Sequence, residues 1–254
     1  MKHLLIDADG LCYKGAHKGE EIAALVRLKE LVDLAWGNCF KYSGGSLESL
    51  HLFIETWDTK WNFRKFVAVT QKYKGTRTYK DIDKYYVDMC KKHLAEKYNT
   101  TVCVHHESED AAHIKAEILG REDCIIGYED KDVPQKAGTY YNYTKQEFLT
   151  LNEDEAAYRL WKQVATGDST DCIPGCPGIG AANKFFTEVL DNVHPSEYSR
   201  EVAKLYKDNS AYARNPYKGE HSYGYFIEQC RLIYLLREPA EVWLPVTPEE
   251  WSEL

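Results

Sequence analysis

Short apolar runs that stop at acidic residues alternate with amphipathic stretches along the first half of the chain. His3-Leu4-Leu5-Ile6 has the pattern of a buried strand and ends at Asp7 and Asp9. From Glu20 to Trp36, Ile22, Leu25, Val26, Leu28, Leu31, Val32 and Ala35 recur at helical spacing. Ser43-Gly44-Gly45-Ser46 marks a turn, and 50–55 predicts a second strand. An apolar and basic stretch over 63–69 leads into Tyr73-Lys74-Gly75-Thr76-Arg77. An amphipathic helix is predicted over 79–98, with Ile82, Tyr85, Tyr86, Met89, Cys90 and Leu94 on one side. Strands over 101–104 and 124–127 flank a helix over 110–119.

Strands alternating with helices predict an α/β fold with a mainly parallel central sheet flanked by helices. In such sheets ligands gather beyond the carboxyl ends of the strands. Asp7, Asp58, Glu107 and Asp130 each follow a predicted strand within a few residues. The rest of the chain reads as mainly helical. Asn152 and Glu155 form an N-cap and capping partner for a helix through Val164. A Gly/Pro-rich turn over 167–180 precedes helices at 181–190 and 223–236. The expected division is an α/β core over 1–165, including a basic helix at 73–98, and a helical region over 166–254, packed as one compact unit.

A chain of 254 residues with 44% hydrophobic content buries a sizeable core. The opening apolar run is too short for a signal peptide, and no window approaches the length of a membrane span. The expected location is the cytoplasm, that of the host if the chain is phage-encoded. Eight scattered cysteines fit reduced thiols, and Cys172 with Cys176 is a poor zinc pattern because no second pair stands nearby.

The net charge of −8 argues against a nucleic-acid partner until its distribution is considered. Between Lys60 and Lys97 eleven Lys or Arg face four Asp or Glu, a local balance of +7. The acids instead come in tight groups: Asp7 and Asp9; Glu107, Glu109 and Asp110; Asp130 and Asp132; Asp168 and Asp171. Phosphodiester hydrolysis by two divalent ions about 3.5–4 Å apart needs several carboxylates on one wall. Hard ions such as Mg²⁺ and Mn²⁺ take oxygen ligands. Without cations such a wall repels itself. Each group alone has an ordinary reading, as a strand-end turn, an acidic helix cap, a loop or an Asx turn.

The most specific segment is GDSTDCIPGCPGIGAANK, Gly167 to Lys184. Two acids precede a Gly-rich turn whose backbone lets a phosphate approach, and Lys184 adds a charge. It reads as a helical hairpin that grips duplex backbone without reading bases.

On these motifs the chain resembles the bacteriophage 5′→3′ exonuclease and flap endonuclease family, shared with the 5′-nuclease domain of bacterial DNA polymerase I. The likeness spans roughly residues 3 to 190. It rests on Leu4-Leu5-Ile6-Asp7, on Asp58 with Asn62-Phe63-Arg64-Lys65, and on Tyr73, Lys74 and Arg77. Glu107-Ser108-Glu109-Asp110, Asp130-Lys131-Asp132-Val133 and the Gly167–Gly180 run complete it. The resemblance implies a PIN-like 5′-nuclease fold with a helix–turn–helix hairpin that binds DNA. It implies a metal set of Asp7, Asp58, Glu107, Glu109, Asp110, Asp130, Asp132, Asp168 and Asp171, holding two Mg²⁺ or Mn²⁺ ions. Setting those nine acids aside leaves a formal balance of +1.

The same resemblance places Lys74 and Arg77 at the start of an arch helix, where they steer and stabilise the scissile phosphate. It makes Tyr73, Arg64, Lys65, Gly175, Gly178, Gly180 and Lys184 DNA contacts, with a monovalent cation at the Gly175–Gly180 hairpin. The expected partner is duplex DNA with a 5′ end or flap, bound by a monomer. Glu109 stands where the family usually has Asp, Cys172 where it has Asn, and Gly127-Tyr128 where it has a small hydroxyl residue. His105 and His106 are expected beside the site or at the surface. The alternatives are a haloacid-dehalogenase-like phosphatase, which Leu11 and the late acid spacing disfavour, and a DNA-binding module of the same fold without catalysis.

Overall fold

The computed structural model describes residues 1–16, 20–56, 58–76, 84–209 and 222–254. Arg77 and the first part of the predicted basic helix lie outside these. The chain forms two compact units, each assembled from three segments instead of meeting at residue 165. The first comprises the described residues of Met1–Asn62, Thr78–Leu151 and Leu235–Ala240; the second, those of Phe63–Arg77, Asn152–Tyr234 and Glu241–Leu254.

The first unit is α/β. Its strands are β1 (His3–Asp7), β2 (Ser49–Glu55), β3 (Thr100–Cys103), β4 (Cys124–Tyr128), β5 (Gly138–Asn142) and β6 (Glu147–Leu151). They form one sheet in the order β3-β2-β1-β4-β5-β6, parallel except for the β5–β6 hairpin. The order reverses direction at β1, between β2 and β4, which is where such sheets leave a crevice for a ligand. Leu4 and Ile6 of β1 point to a core formed with α1 (Asp9–Ala16), α2 (Glu21–Tyr42) and α4 (Lys84–Lys97). The alternate face of the sheet is covered by α5 (Ser108–Leu119), which packs on β1, β2 and β4.

Two expected apolar stripes are only partly buried. In α2 the buried face is Ala24, Leu28, Leu31, Val32, Ala35 and Cys39, while Ile22 and Val26 are exposed. In α4 the buried residues are Val87, Cys90, Lys91 and Leu94, and Tyr85 faces outward, hydrogen-bonded to Glu21. The β5–β6 hairpin, absent from the sequence reading, buries Tyr140 and Tyr141 completely. All eight cysteines are free, and all are buried.

The second unit is helical. It contains α3 (Arg64–Val67), α6 (Glu153–Thr166), α7 (Lys184–Glu188), α8 (Tyr198–Asp208), α9 (Ser222–Ile233) and α10 (Pro248–Glu253). Asn152 caps α6 as expected: Glu155 N donates to Asn152 Oδ1 at 2.9 Å, and Asn152 N donates back to Glu155 Oε2 at 3.0 Å. α9 is the apolar centre, packing against α3, α6 and α8 through Tyr225, Phe226 and Ile227 among others.

The turn after α6 depends on two glycines pressed backbone to backbone. Gly167 and Gly175 have φ of +71° and +69°, and a Cβ on Gly175 would lie 2.4 Å from Gly167 N. No other residue fits either position. α7 is opened by Asn183, whose side chain accepts from Phe185 N at 2.9 Å, three residues beyond the last glycine of the run. Among the described residues no helix is long and apolar enough to cross a membrane.

Candidate active site

The acids of the first unit gather at the carboxyl edge of the parallel strands. Asp7 ends β1, Glu55 ends β2, Glu107 caps the helix that follows β3, and Asp130 follows β4. Glu55, Glu107 and Glu109 each offer one carboxylate oxygen, and the three oxygens lie within 4.8 Å of one another. Three carboxylates with no sulfur or nitrogen form a donor set for a hard divalent ion. Glu55 was not among the residues singled out from the sequence, although an acid at a strand end beside β1 is the signal that would have found it.

The start of α5 assigns each of its four residues a separate task. Glu107, 2% exposed, accepts from Asn62 Nδ2 at 3.1 Å and forms a reciprocal capping box with Asp110. Ser108 Oγ donates to Asp7 Oδ1 at 2.6 Å. Glu109 joins the carboxylate trio. Asp110 is wholly buried and accepts from Glu107 N at 3.1 Å and from Leu236 N at 3.0 Å. The acidic-cap reading and the metal-site reading therefore describe the same turn of helix.

Burial is the main cause that pushes the Asp7 carboxyl from its ordinary 3.8 up to about 7, aided by the charges of Asp9 and Asp130 and opposed by the Ser108 hydrogen bond. Folding thus takes up a proton at pH values between the two. Stability from this group is complete below about pH 4 and is lost as pH rises through about 7. The melting temperature of the protein in a chelator is expected to fall as pH rises from about 5 to about 8, and Mn²⁺ should flatten that slope. A chelated protein whose melting temperature rises across this range would contradict the assignment.

The other expected residues are less concentrated. Asp58 is surface-exposed and ion-paired to Lys60 at 2.8 Å. Asp130 is exposed, its Oδ1 accepting from Asp132 N at 3.0 Å. His105 is exposed and His106 half-buried.

Asp168 and Asp171 belong to the second unit. Asp168 makes an Asx turn, accepting from Thr170 N at 2.8 Å. Asp171 accepts from the Tyr73 hydroxyl at 2.9 Å and lies 3.7 Å from Lys74 Nζ, while its carbonyl accepts from Lys74 N at 2.8 Å. Cys172 occupies a left-handed conformation with φ of +61°, which Asn tolerates better, and its sulfur meets Thr76 Oγ1 at 3.2 Å.

Three expected DNA contacts are given other roles by the structure. Arg64 is 1% exposed, and its guanidinium donates to Leu232 O at 3.0 Å and Tyr234 O at 2.9 Å, capping the end of α9. Tyr73 is 4% exposed, so its ring is not presented for stacking. Gly175 is buried against Gly167, and its amide already donates to Gln229 Oε1 at 3.0 Å. Lys65, Gly178, Gly180 and Lys184 remain at the surface.

The fold is similar to that of solved 5′-nuclease structures. The bacteriophage T5 D15 protein co-crystallised with metal ions aligns with a TM-score of 0.59 at 15% identity, covering 93% of this chain and 89% of that one. The T5 flap endonuclease in a pseudo-enzyme–product complex with DNA and metal ions aligns with a TM-score of 0.57 at 15% identity, covering 92% and 99%. The T5 5′-exonuclease with bound zinc gives 0.56 at 14% identity, again covering 92% and 99%. No protein-family profile and no curated protein matches the sequence. At these identities it is the fold that is shared.

Proposed function

We propose that the protein is a divalent-metal-dependent 5′-nuclease that hydrolyses DNA at 5′ ends and flaps without base specificity, using two Mg²⁺ or Mn²⁺ ions. The observation that carries this reading is the meeting of Glu55, Glu107 and Glu109 oxygens within 4.8 Å at the carboxyl edge of the sheet. Glu55, Glu107 and Glu109 would hold a divalent ion there, which would supply an activated water and neutralise charge on the leaving oxygen.

The chain's own groups orient that chemistry. Asn62 fixes one oxygen of Glu107, and Ser108 holds Asp7. Asp110 supports the helix start and ties it to Leu236. Asp7, Asp130 and Asp132 complete the acid wall of the first unit in this reading. For Asp58, Asp168 and Asp171 the assignment as ligands rests on the resemblance in sequence alone. Gly178, Gly180, Lys65 and Lys184 are read as the backbone grip, and Lys74 and Arg77 as the cations that meet the scissile phosphate.

Incubation of 5′-labelled flap and blunt duplex DNA with Mg²⁺ tests the reading. Short 5′ products that vanish with a chelator are expected, with no preference among base sequences. Hydrolysis of a small phosphate ester, undisturbed by added DNA, would favour the phosphatase alternative. Binding of DNA without cleavage in either metal would favour the non-catalytic one.

A further inference from the structure

The end of β2 is held by a device that the acid-site reading does not use. Ala8 N donates to Phe53 O at 2.8 Å, continuing the parallel register of β1 on β2. Ala8 O, which would next accept the Glu55 N–H in a parallel ladder, is instead taken by Cys12 N at 3.1 Å as α1 begins. Asp9 supplies the missing acceptor: its Oδ1 takes the Glu55 N–H at 2.9 Å. Lys91 Nζ, from the buried face of α4, donates to Glu55 O at 2.7 Å. The same amine lies 2.9 Å from Asp9 Oδ1 and 3.0 Å from Asp9 Oδ2, closing the ring. Both main-chain groups of Glu55 are thus gripped by one ion pair, with Lys91 only 7% exposed.

A buried ion pair is weak evidence of stabilisation, because desolvating both charges offsets their attraction. Lys91 also works against any cation at the Glu55 carboxylate, since like charges repel. A lysine in this place needs a geometric reason. We propose that the Asp9–Lys91 pair is a clamp that fixes the Glu55 main chain and thereby positions its carboxylate against Glu107 and Glu109 for cation binding. Lys91 and Asp9 are positioning residues here, and the inference rests on the reading of the acid trio as a metal site.

The sign of one change separates geometry from charge. Mn²⁺ binding is measured on the whole protein from the free-ion electron paramagnetic resonance signal, comparing wild type with Lys91→Met, Lys91→Gln and Lys91→Arg, each verified by circular dichroism. Charge alone predicts that losing the lysine tightens Mn²⁺ binding. The clamp predicts the opposite: about tenfold or greater weakening in Lys91→Met and Lys91→Gln, as when a group supporting a ligand is lost. Lys91→Arg should recover most of the affinity, and kcat on flap DNA should fall in Lys91→Met while KM changes by less than about twofold. Unchanged or tighter Mn²⁺ binding in the two neutral variants overturns the clamp while leaving the metal site standing. If Lys91→Met fails to fold, Lys91→Gln gives the same sign. Wild type that binds no Mn²⁺ overturns the metal-site reading and the clamp together.

Discussion

Glu107→Gln will slow flap-DNA cleavage by about a thousandfold, which corresponds to about 4 kcal/mol of lost transition-state stabilisation. The substitution keeps the size of the side chain and an amide oxygen able to accept from Asn62, so the local hydrogen bonding has a substitute. What it removes is one negative charge of the trio that lies within 4.8 Å. The melting temperature in a chelator should therefore hold or rise, because carboxylates forced together repel in the absence of a cation. The rise produced by Mn²⁺ should shrink, since linkage ties that rise to affinity. Single-turnover cleavage within about tenfold of wild type would remove Glu107 from the centre of the chemistry.

Arg64→Met should have its largest effect on stability. The guanidinium is buried and its Nε and Nη2 both donate to carbonyls at the end of α9. Hydrogen bonds from a charged donor contribute about 1.5–3 kcal/mol each, and carbonyls left buried without donors add their own cost. A loss of about 3–5 kcal/mol is expected, or a melting temperature lower by about 10 °C for a chain of this size. If Arg64 instead contacted phosphate, the folded variant would show a shallower salt dependence of DNA binding, by about one counterion. An unchanged melting temperature with a shallower slope would restore the contact that the sequence suggested.

Most of the first unit is legible from periodicity. β1, β2, β4 and α5 fall within a few residues of where apolar runs and helical spacing put them, because each carries a run or stripe of buried residues; β3 falls there too, although only Cys103 of its four residues is buried. The β5–β6 hairpin escaped because its core residues are tyrosines, which sit as readily at a surface as inside. Exposed Ile22, Val26 and Tyr85 show the reverse error, apolar residues placed on a face that solvent keeps. Lys91 is buried on an otherwise apolar stripe, and nothing local in the sequence marks it.

The acids of the candidate site were legible as groups but not as partners. Pattern alone finds Glu107, Glu109 and Asp110 together; the fold adds that Glu107 and Glu109 meet Glu55 while both Asp110 oxygens accept backbone amides. Glu55 was hidden by Asp58, a more familiar motif residue three positions later that proves to be exposed and paired with Lys60. Arg64 looked like a DNA contact because sequence does not reveal that a guanidinium is inside.

Each unit's being built from three pieces of chain bears on synthesis. The start of α5 receives the Leu236 amide on Asp110, and Lys136 Nζ donates to Leu236 O at 3.2 Å. These contacts form only after Leu236 has been made, long after the last strand ends at Leu151. A nascent chain halted at 151 would contain all six strands yet lack the segment that buttresses its acid-bearing helix. The start of the acid-bearing helix is thus buttressed only after α9 of the helical unit has been made.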